Sequence, residues 1–352
     1  MKIVVDSNIP YIKGAVEQIA DEVDYVPGCG FSPQTVADAD ALIVRTRTRC
    51  DRSLLEGSKV RFIATATIGF DHIDVDYCRR AGIAWANAPG CNASSVGQYV
   101  QSALLLWERR AGRLLRGQTL GIVGAGHVGR CVESVGRRLG MRILLNDPPR
   151  QEREGDSRFV SLEQIARESD VVSFHVPLDR GGRHNTFHLA DKDFFGNLRR
   201  RPLFMNTSRG EVADTAALLD ALASGQVGDA VVDTWEDEPC ISRALLERAF
   251  ITTPHIAGYS ADGKANATRM ALESVCRFFH ISATCHIEPP QPPCRVIEAA
   301  DWTEASLRIY NPQTDSRALK SHPEWFERLR NNYPLRREWG AYEVRCERQA
   351  YS

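Results

Sequence analysis

Short β-branched apolar runs alternate along this chain with longer stretches whose apolar residues recur every three or four positions. That alternation builds parallel sheets covered by helices. In the first quarter, Ile3-Val4-Val5, Ala41-Leu42-Ile43-Val44, Phe62-Ile63-Ala64 and Ile83-Ala84-Trp85 predict four strands of one small α/β unit. Asn87-Ala88-Pro89-Gly90 then breaks the pattern. Beyond it Val96, Tyr99, Val100, Ala103, Leu104 and Trp107 share one helical face, which predicts a long connecting helix from Ser95 to about Arg113. A second, larger series follows, with strands predicted at Thr119 to Val123, Ile143 to Leu145, Val171 to Phe174, Leu203 to Met205, Ala230 to Val232 and Phe250 to Thr252. Ser161 with Gln164 three residues on reads as a capping box for one intervening helix.

The pattern changes at Pro289-Pro290-Gln291-Pro292-Pro293, a stiff, extended stretch, after which the chain is polar and Arg-rich. Trp302, Tyr310, Trp325, Phe326, Tyr333, Trp339 and Tyr342 are interleaved there with arginines, as in a protein interface. A boundary is expected near 282–293. No internal repeat is visible.

At 352 residues, with 43% hydrophobic and 25% charged, the chain is long enough for two or three folded domains and excludes wholesale disorder. Forty-four basic against 45 acidic side chains leave a net charge of −1, so no global attraction to nucleic acid or to an anionic membrane exists, and any anionic ligand must be caught locally. Asp6 interrupts the N-terminus before a signal-peptide core forms, and no apolar run reaches the about 18 residues that a membrane span needs, so a cytoplasmic protein without a membrane partner is expected. The ten cysteines, Cys29 to Cys346, form no CxxC pair and read as reduced, mostly buried thiols. Cys285-His286 followed by Cys294 lacks the second spaced pair that zinc requires, so no metal is expected.

The chemistry-bearing residues begin at Gly124-Ala125-Gly126-His127-Val128-Gly129. A G-x-G-x-x-G pattern alone is weak, but this one follows a strand and opens a helix through Val132, Val135 and Leu139. The first glycine makes a tight turn, the second admits a pyrophosphate against backbone, and the third lets helix and strand approach. The helix N-terminus supplies free N–H groups and partial positive charge. Eighteen residues beyond Gly129, Asp147 ends the next strand, where an acid accepts ribose hydroxyls and repels a 2′-phosphate. NAD is therefore expected, with Arg150 the group that would serve NADP instead.

A dehydrogenase acting beside a carboxylate needs a base for the hydroxyl proton, a cation for the carboxylate, and a group to tune the base. Arg209, Glu238 and His255 each follow a predicted strand end, where ligand sites lie in open α/β sheets. Arg209 offers a bidentate fork, and a Glu238 carboxylate beside His255 would favour the imidazolium.

The motifs Asn87-Ala88-Pro89-Gly90, GAGHVG, FHVPL (174–178), NTSRG (206–210), WEDEP (235–239) and TPHIAGYS (253–260) resemble those of the D-isomer-specific 2-hydroxyacid dehydrogenase family. Further marks, VDSNIPY near the start, ADALIVRT (39–46), TATIGFDHID (65–74), LLNDPPR (144–150) and NNYPLRREW (331–339), are similar to a subgroup acting on a small phosphorylated 2-hydroxy acid. The resemblance implies an α/β fold of two Rossmann- or flavodoxin-like parallel-sheet domains around a cleft, plus a small α+β C-terminal dimerisation domain. Residues 1–94 with 257–282 would bind substrate, 95–256 would bind NAD, and 283–352 would form the homodimer.

Carried over position by position, the resemblance implies catalytic Arg209, Glu238 and His255, NAD contacts at Asp147, Val176, Thr207, Ser208, Asp233 and Gly258, and substrate contacts at Thr46, Thr67 and Tyr259. Arg45 and Arg47 are candidates for the remote phosphate. Two departures carry expectations of their own. Gly97-Gln98 stands where the family has a small or branched residue and a glutamate, which predicts a looser connecting helix, and an end at Ser352 predicts a missing last strand. Alternatives are a dehydrogenase of another 2-hydroxy acid, such as 3-phosphoglycerate, and an NAD-sensing interaction protein that keeps the fold.

Overall fold

A computed structural model describes residues 1–155, 157–284 and 286–347. Contacts divide the chain into two units, Met1–Asn92 with Ser260–Gln291, and Ala93–Tyr259 with Pro292–Ser352.

The first unit is built on a five-stranded, all-parallel sheet in the order β2-β1-β3-β4-β5. Its strands are β1 (Lys2–Asp6), β2 (Glu22–Val26), β3 (Ala41–Val44), β4 (Phe62–Thr65) and β5 (Ala84–Ala86). Four match the expected runs. β2, with the sequence EVDYV, went unread because its polar alternation suits an edge strand with one solvated face and not the all-apolar pattern of a central parallel strand. A return helix, Ala261–Phe279, is capped by the Ser260 hydroxyl, which accepts from the Gly263 N–H. It buries Ala267, Ala271, Leu272 and Val275 against Ile3, Ile43 and Phe62. At about 25 cal/mol per Å2 of apolar surface removed from water, a face of that size outweighs the ordering cost of the helix.

The second unit carries a six-stranded parallel sheet in the order β11-β10-β9-β8-β6-β7. These strands are β6 (Thr119–Val123), β7 (Arg142–Asn146), β8 (Val171–Phe174), β9 (Leu203–Asn206), β10 (Asp229–Val232) and β11 (Ile251–Thr252). The winding reverses between β6 and β8, so the open crevice for a ligand lies at their carboxyl ends. Val123, Phe174, Asn206, Val232 and Thr252 stand in register across the sheet. The residues that follow them therefore emerge along a single edge.

The helix Ala93–Ala111 runs unbroken, against the looser helix expected from Gly97-Gln98. A Cβ on Gly97 would lie 3.3 Å from that of Cys131, so the glycine permits close packing on the helix His127–Arg138, and Gln98 donates from its buried amide to the Arg337 carbonyl. Ser161 caps its helix by accepting from the Gln164 N–H. The Gln164 side chain bonds Glu168 instead of reaching back, so only half of the expected capping box forms.

The last segment holds a two-stranded parallel sheet of β12 (Val296–Ala299) and β13 (Glu343–Cys346). Both strands went unread because each is only four residues long and is interrupted by charge, Glu298 in β12 and Glu343 and Arg345 in β13. Expected as a separate dimerisation domain from residue 283, this segment shares the core of the second unit, contributing Leu307, Tyr310, Leu319 and Phe326. The reason is its shortage of aliphatic residues, too few for a core of its own. Several aromatics expected at an intermolecular interface are spent inside the chain. Trp302 stacks on Trp339 at 5.3 Å, and the hydroxyls of Tyr310 and Tyr333 donate to Asp315 at 3.1 and 2.9 Å.

Of the nine described cysteines, Cys50, Cys78, Cys91 and Cys276 are buried, whereas Cys29, Cys240 and Cys294 are exposed, so the thiols are less buried than expected. Cys285 and Ser352, on which two expectations rested, lie outside the described residues. Among the described residues no helix is long and apolar enough to cross a membrane, and no three metal-ligating side chains gather.

Candidate active site

The glycine turn after β6 behaves as its spacing predicts. Gly124 has φ +92°, and a Cβ there would sit 2.6 Å from the His175 carbonyl oxygen. A Cβ on Gly129 would come within 2.0 Å of the Gly124 oxygen, so the helix can approach the strand only with glycine. Gly126 is exposed, and a Cβ there meets nothing of the protein within 4 Å. The open side of the turn thus fits a dinucleotide's pyrophosphate, and the helix His127–Arg138 begins there without a side-chain cap, leaving its first N–H groups for the phosphates. His127 is exposed beside Gly126, and Val128 is half-buried.

Asp147, at the end of β7, ties this turn to the next helix. Its carboxylate accepts from the Ala125 N–H at 2.9 Å and from the Arg150 N–H at 3.1 Å. Arg150, the residue that would serve NADP, is bidentate to Glu154 and also donates to the Ala125 carbonyl. With Asp147 and Glu154 both beside it, the pocket disfavours a 2′-phosphate.

Along the edge, Val176 follows β8 and Thr207-Ser208-Arg209 follow β9. Asn206 organises that turn: its Oδ1 accepts from the Ser208 N–H and hydroxyl, and its Nδ2 donates to the Arg209 carbonyl at 2.9 Å. A Cβ on Gly210 would stand 1.8 Å from the Trp235 oxygen, so the Arg209 loop lies directly against the Glu238 loop. Among the described residues no carboxylate pairs with Arg209, whose Nη1 donates only to the Ser208 carbonyl at 2.8 Å. That leaves its charge for a ligand. His175 was not foreseen. Its Nδ1 lies 3.3 Å from the Thr207 hydroxyl and its Nε2 2.8 Å from the Ser173 hydroxyl. Withdrawal of the ring from water pushes its pKa down to about 3, so it is a neutral strut.

The two glutamates of WEDEP part company. Glu236 accepts from His188 and from the Thr215 N–H, bracing the loop from behind. Glu238 faces the catalytic candidate, with its carboxylate oxygens 2.9 and 3.1 Å from Nδ1 of His255 and one of them accepting from the Trp235 N–H. Burial pushes Glu238 up, but its bonds to His255 and Trp235 and the nearby Arg330 charge outweigh that and hold it below the usual glutamate range.

His255 itself adopts φ +57°, a left-handed conformation uncommon for a side-chain-bearing residue. Asp233 sustains it. Its buried carboxylate accepts from the Thr253 hydroxyl at 2.6 Å, the Ile256 N–H at 2.8 Å and the Ala257 N–H at 3.0 Å, while its backbone oxygen accepts from the His255 N–H. Each such bond to a charged group is worth about 1.5–3 kcal/mol, enough to offset a strained φ. Asp233, foreseen as a cofactor contact, therefore spends its carboxylate on the histidine loop. Gly258 and Tyr259 continue that loop, the Tyr259 hydroxyl accepting from Arg330 Nε at 3.0 Å. Arg330, in the C-terminal segment, had no signal in a sequence already crowded with arginines.

Thr46, Thr67, Arg45 and Arg47 belong to the first unit. Thr46 and Arg47 are exposed beyond β3. Arg45 pairs through Nε with the fully buried Asp6 at 3.0 Å, so its charge is largely spent. Thr67 donates to the Gly69 carbonyl and shares a 2.7 Å hydrogen bond with Thr65, whose hydroxyl also meets His72.

A glycine turn for a dinucleotide, a histidine braced by a glutamate and an unpaired arginine on one sheet edge define a nicotinamide-dependent hydroxy-acid dehydrogenase. Residues 95–257 match the NAD binding domain of the D-isomer specific 2-hydroxyacid dehydrogenases, and residues 295–352 match a domain of unknown function, DUF3410. The chain is 61% identical over 344 residues to erythronate-4-phosphate dehydrogenase of Bacteroides fragilis, covering 98% of this chain and 99% of that protein. It is 43% identical to the protein of the same name from Porphyromonas gingivalis, over 98% and 95% of the two chains. Among solved structures, NAD-bound 3-phosphoglycerate dehydrogenase of Entamoeba histolytica matches at a TM-score of 0.66 and 25% identity, over 82% of this chain and 99% of that one. The chain belongs to the D-isomer specific 2-hydroxyacid dehydrogenase family, and its cofactor is NAD.

Proposed function

We infer that the protein oxidises 4-phospho-D-erythronate at C2 to (R)-3-hydroxy-2-oxo-4-phosphooxybutanoate, a step of pyridoxine biosynthesis. The His255–Glu238 pair, 2.9 Å apart, carries the reaction, and the 61% identity along nearly the whole chain carries the substrate. Because Glu238 occupies Nδ1, Nε2 of His255 is the nitrogen that takes the hydroxyl proton. The carboxylate stabilises the imidazolium that results. Arg209 binds the substrate carboxylate with its fork. When bound, NAD supplies the hydride acceptor. Gly124, Gly126, His127, Val128 and Gly129 would hold its pyrophosphate, and Asp147 its ribose, with Val176, Thr207, Ser208, Asp233 and Gly258 lining the rest.

Thr46, Thr67 and Tyr259 would contact the substrate, with Arg45 and Arg47 the candidates for its phosphate. The active form would be a cytoplasmic homodimer. The thiols suit a reducing compartment, and the C-terminal segment would carry the dimer contact through residues that its own core leaves exposed.

The test is a substrate panel with purified protein and NAD. Turnover of 4-phospho-D-erythronate well above that of D-erythronate and of 3-phosphoglycerate is expected. Parity among them, or no turnover, would overturn the assignment. Sedimentation of the full chain reads the dimer; truncation at residue 282 would strip Leu319 and Phe326 from the second unit's core and test folding instead.

A further inference from the structure

The helix Phe326–Asn331 is anchored by Phe326, 1% exposed, and by Leu329 against the core of the second unit. From it Arg330 reaches back to the catalytic loops. Its Nε donates to the Tyr259 hydroxyl at 3.0 Å, and its Nη1 lies 3.5 Å from Glu238 Oε2 and 4.0 Å from Glu327. Six residues on, the buried Arg336 donates to the carbonyls of Ile256 and Ala257, the two residues after His255. The histidine loop is therefore held on one side by Asp233, through its N–H groups, and on the other by the C-terminal segment, through its carbonyls and a phenol.

We propose that Arg330 is a positioning residue for the acid–base pair, so that the chain's own C-terminal segment completes its active site. The proposal rests on the reading of His255 and Glu238 as that pair. Glu238 sits between an imidazole and a guanidinium. A cation on the far side of the carboxylate shares its charge and weakens its hold on the imidazolium, and the same cation also repels the imidazolium directly. Both effects favour the neutral, proton-accepting imidazole over the imidazolium. The other groups facing the pair are Asp233 beneath the histidine loop, Glu327 against Arg330, and the Tyr259 phenol, with Asp315, Tyr333 and Arg336 one layer behind.

The experiment compares wild type, Arg330→Gln, Arg330→Lys and Tyr259→Phe as full-length proteins, measuring kcat/KM for oxidation from pH 6 to 10. It also follows the ring protons of His255 by NMR, a readout that needs no turnover. In Arg330→Gln the kinetic and spectroscopic pKa of His255 should rise by about half a unit to one unit. In that variant kcat/KM at pH 7 should fall by up to about three- to tenfold, with NAD affinity unchanged. Lysine keeps the charge but cannot hold Glu238 and Tyr259 together, so it should restore the pKa while KM stays raised. Tyr259→Phe should raise KM and leave the pKa alone. A His255 pKa that does not move in Arg330→Gln, with activity lost equally at every pH, would reduce Arg330 to scaffolding and overturn the proposal. Absence of wild-type turnover would count against the assigned reaction alone, because the NMR shift would still decide for or against Arg330.

Discussion

The two sheets of this protein are wound alike and equipped differently. Strands β2-β1-β3-β4-β5 of the first unit and β7-β6-β8-β9-β10 of the second follow the same order, with the same reversal beside the first strand. Where the second unit has Val123, Gly124, Ala125 and Gly126, the first has Asp6, Ser7, Asn8 and Ile9. Asp6 is fully buried, accepts from the Asn8 N–H at 2.9 Å and pairs with Arg45. A buried carboxylate at the switch point repels a pyrophosphate, and only the short turn Val16–Gln18 stands where the second unit begins a 12-residue helix with uncapped N–H groups. One winding thus yields a dinucleotide site in one unit and excludes it in the other. Four or five residues at the end of the first strand decide which.

The sharpest break between the units is chemical. His255→Ala should cut kcat by about 10²–10⁴, the range of a general base, while NAD binding followed by fluorescence is unchanged. Loss of NAD binding along with turnover would mean that the histidine loop belongs to the cofactor and not to the substrate.

Arg45→Met probes the other sheet. It leaves the Asp6 carboxylate buried without its cation, and since Arg45 is itself about a third exposed, a stability loss of about 2 kcal/mol is expected in denaturant unfolding. Unchanged stability with a raised KM for the phosphorylated substrate would make Arg45 a phosphate ligand instead, and the two sheet edges more alike than their charges suggest.

Gly126→Ala tests what the open side of the glycine turn is for. The added methyl meets no protein atom, so melting should not change, whereas the Kd for NAD should rise about tenfold if the pyrophosphate lies on that backbone. Equal effects on stability and affinity would show that the turn is built for packing alone.

How much of this was legible beforehand follows the same divide. The second sheet's strands each carry an unbroken apolar run, so each stood out, and Gly124, Gly129, Glu238 and His255 fall in motifs that follow those strands. The edge strand Glu22–Val26 and β13 carry alternating charges, β12 is four residues broken by Glu298, and all three were invisible. Arg330 and Arg336 were hidden for another reason. Their contacts with Glu238, Tyr259, Ile256 and Ala257 span more than 70 residues of chain, and nothing local distinguishes them from the arginines that face water. Asp233 was legible as a cofactor contact, but its other duty, holding two backbone N–H groups and a threonine, is revealed only by the fold.

The smallest effect expected is at His175, which separates a histidine that works by titrating from one that works by never doing so. Its pKa is pushed to about 3 by burial, far below the ordinary value near 6.5 that it regains on unfolding. The unfolded chain therefore binds a proton that the folded one refuses, so stability is complete above about pH 6.5 and is lost as the pH falls from there toward 3. At pH 6 the cost is about 1 kcal/mol, a few degrees in Tm. His175→Asn, which keeps a polar group but cannot titrate, should be less stable than wild type at pH 8 for want of the bonds to Ser173 and Thr207, and the gap should narrow steadily between pH 7 and pH 5. Parallel melting curves across that range would show that the folded ring accepts the proton. His175 would then be a second titrating histidine on the edge that carries His255.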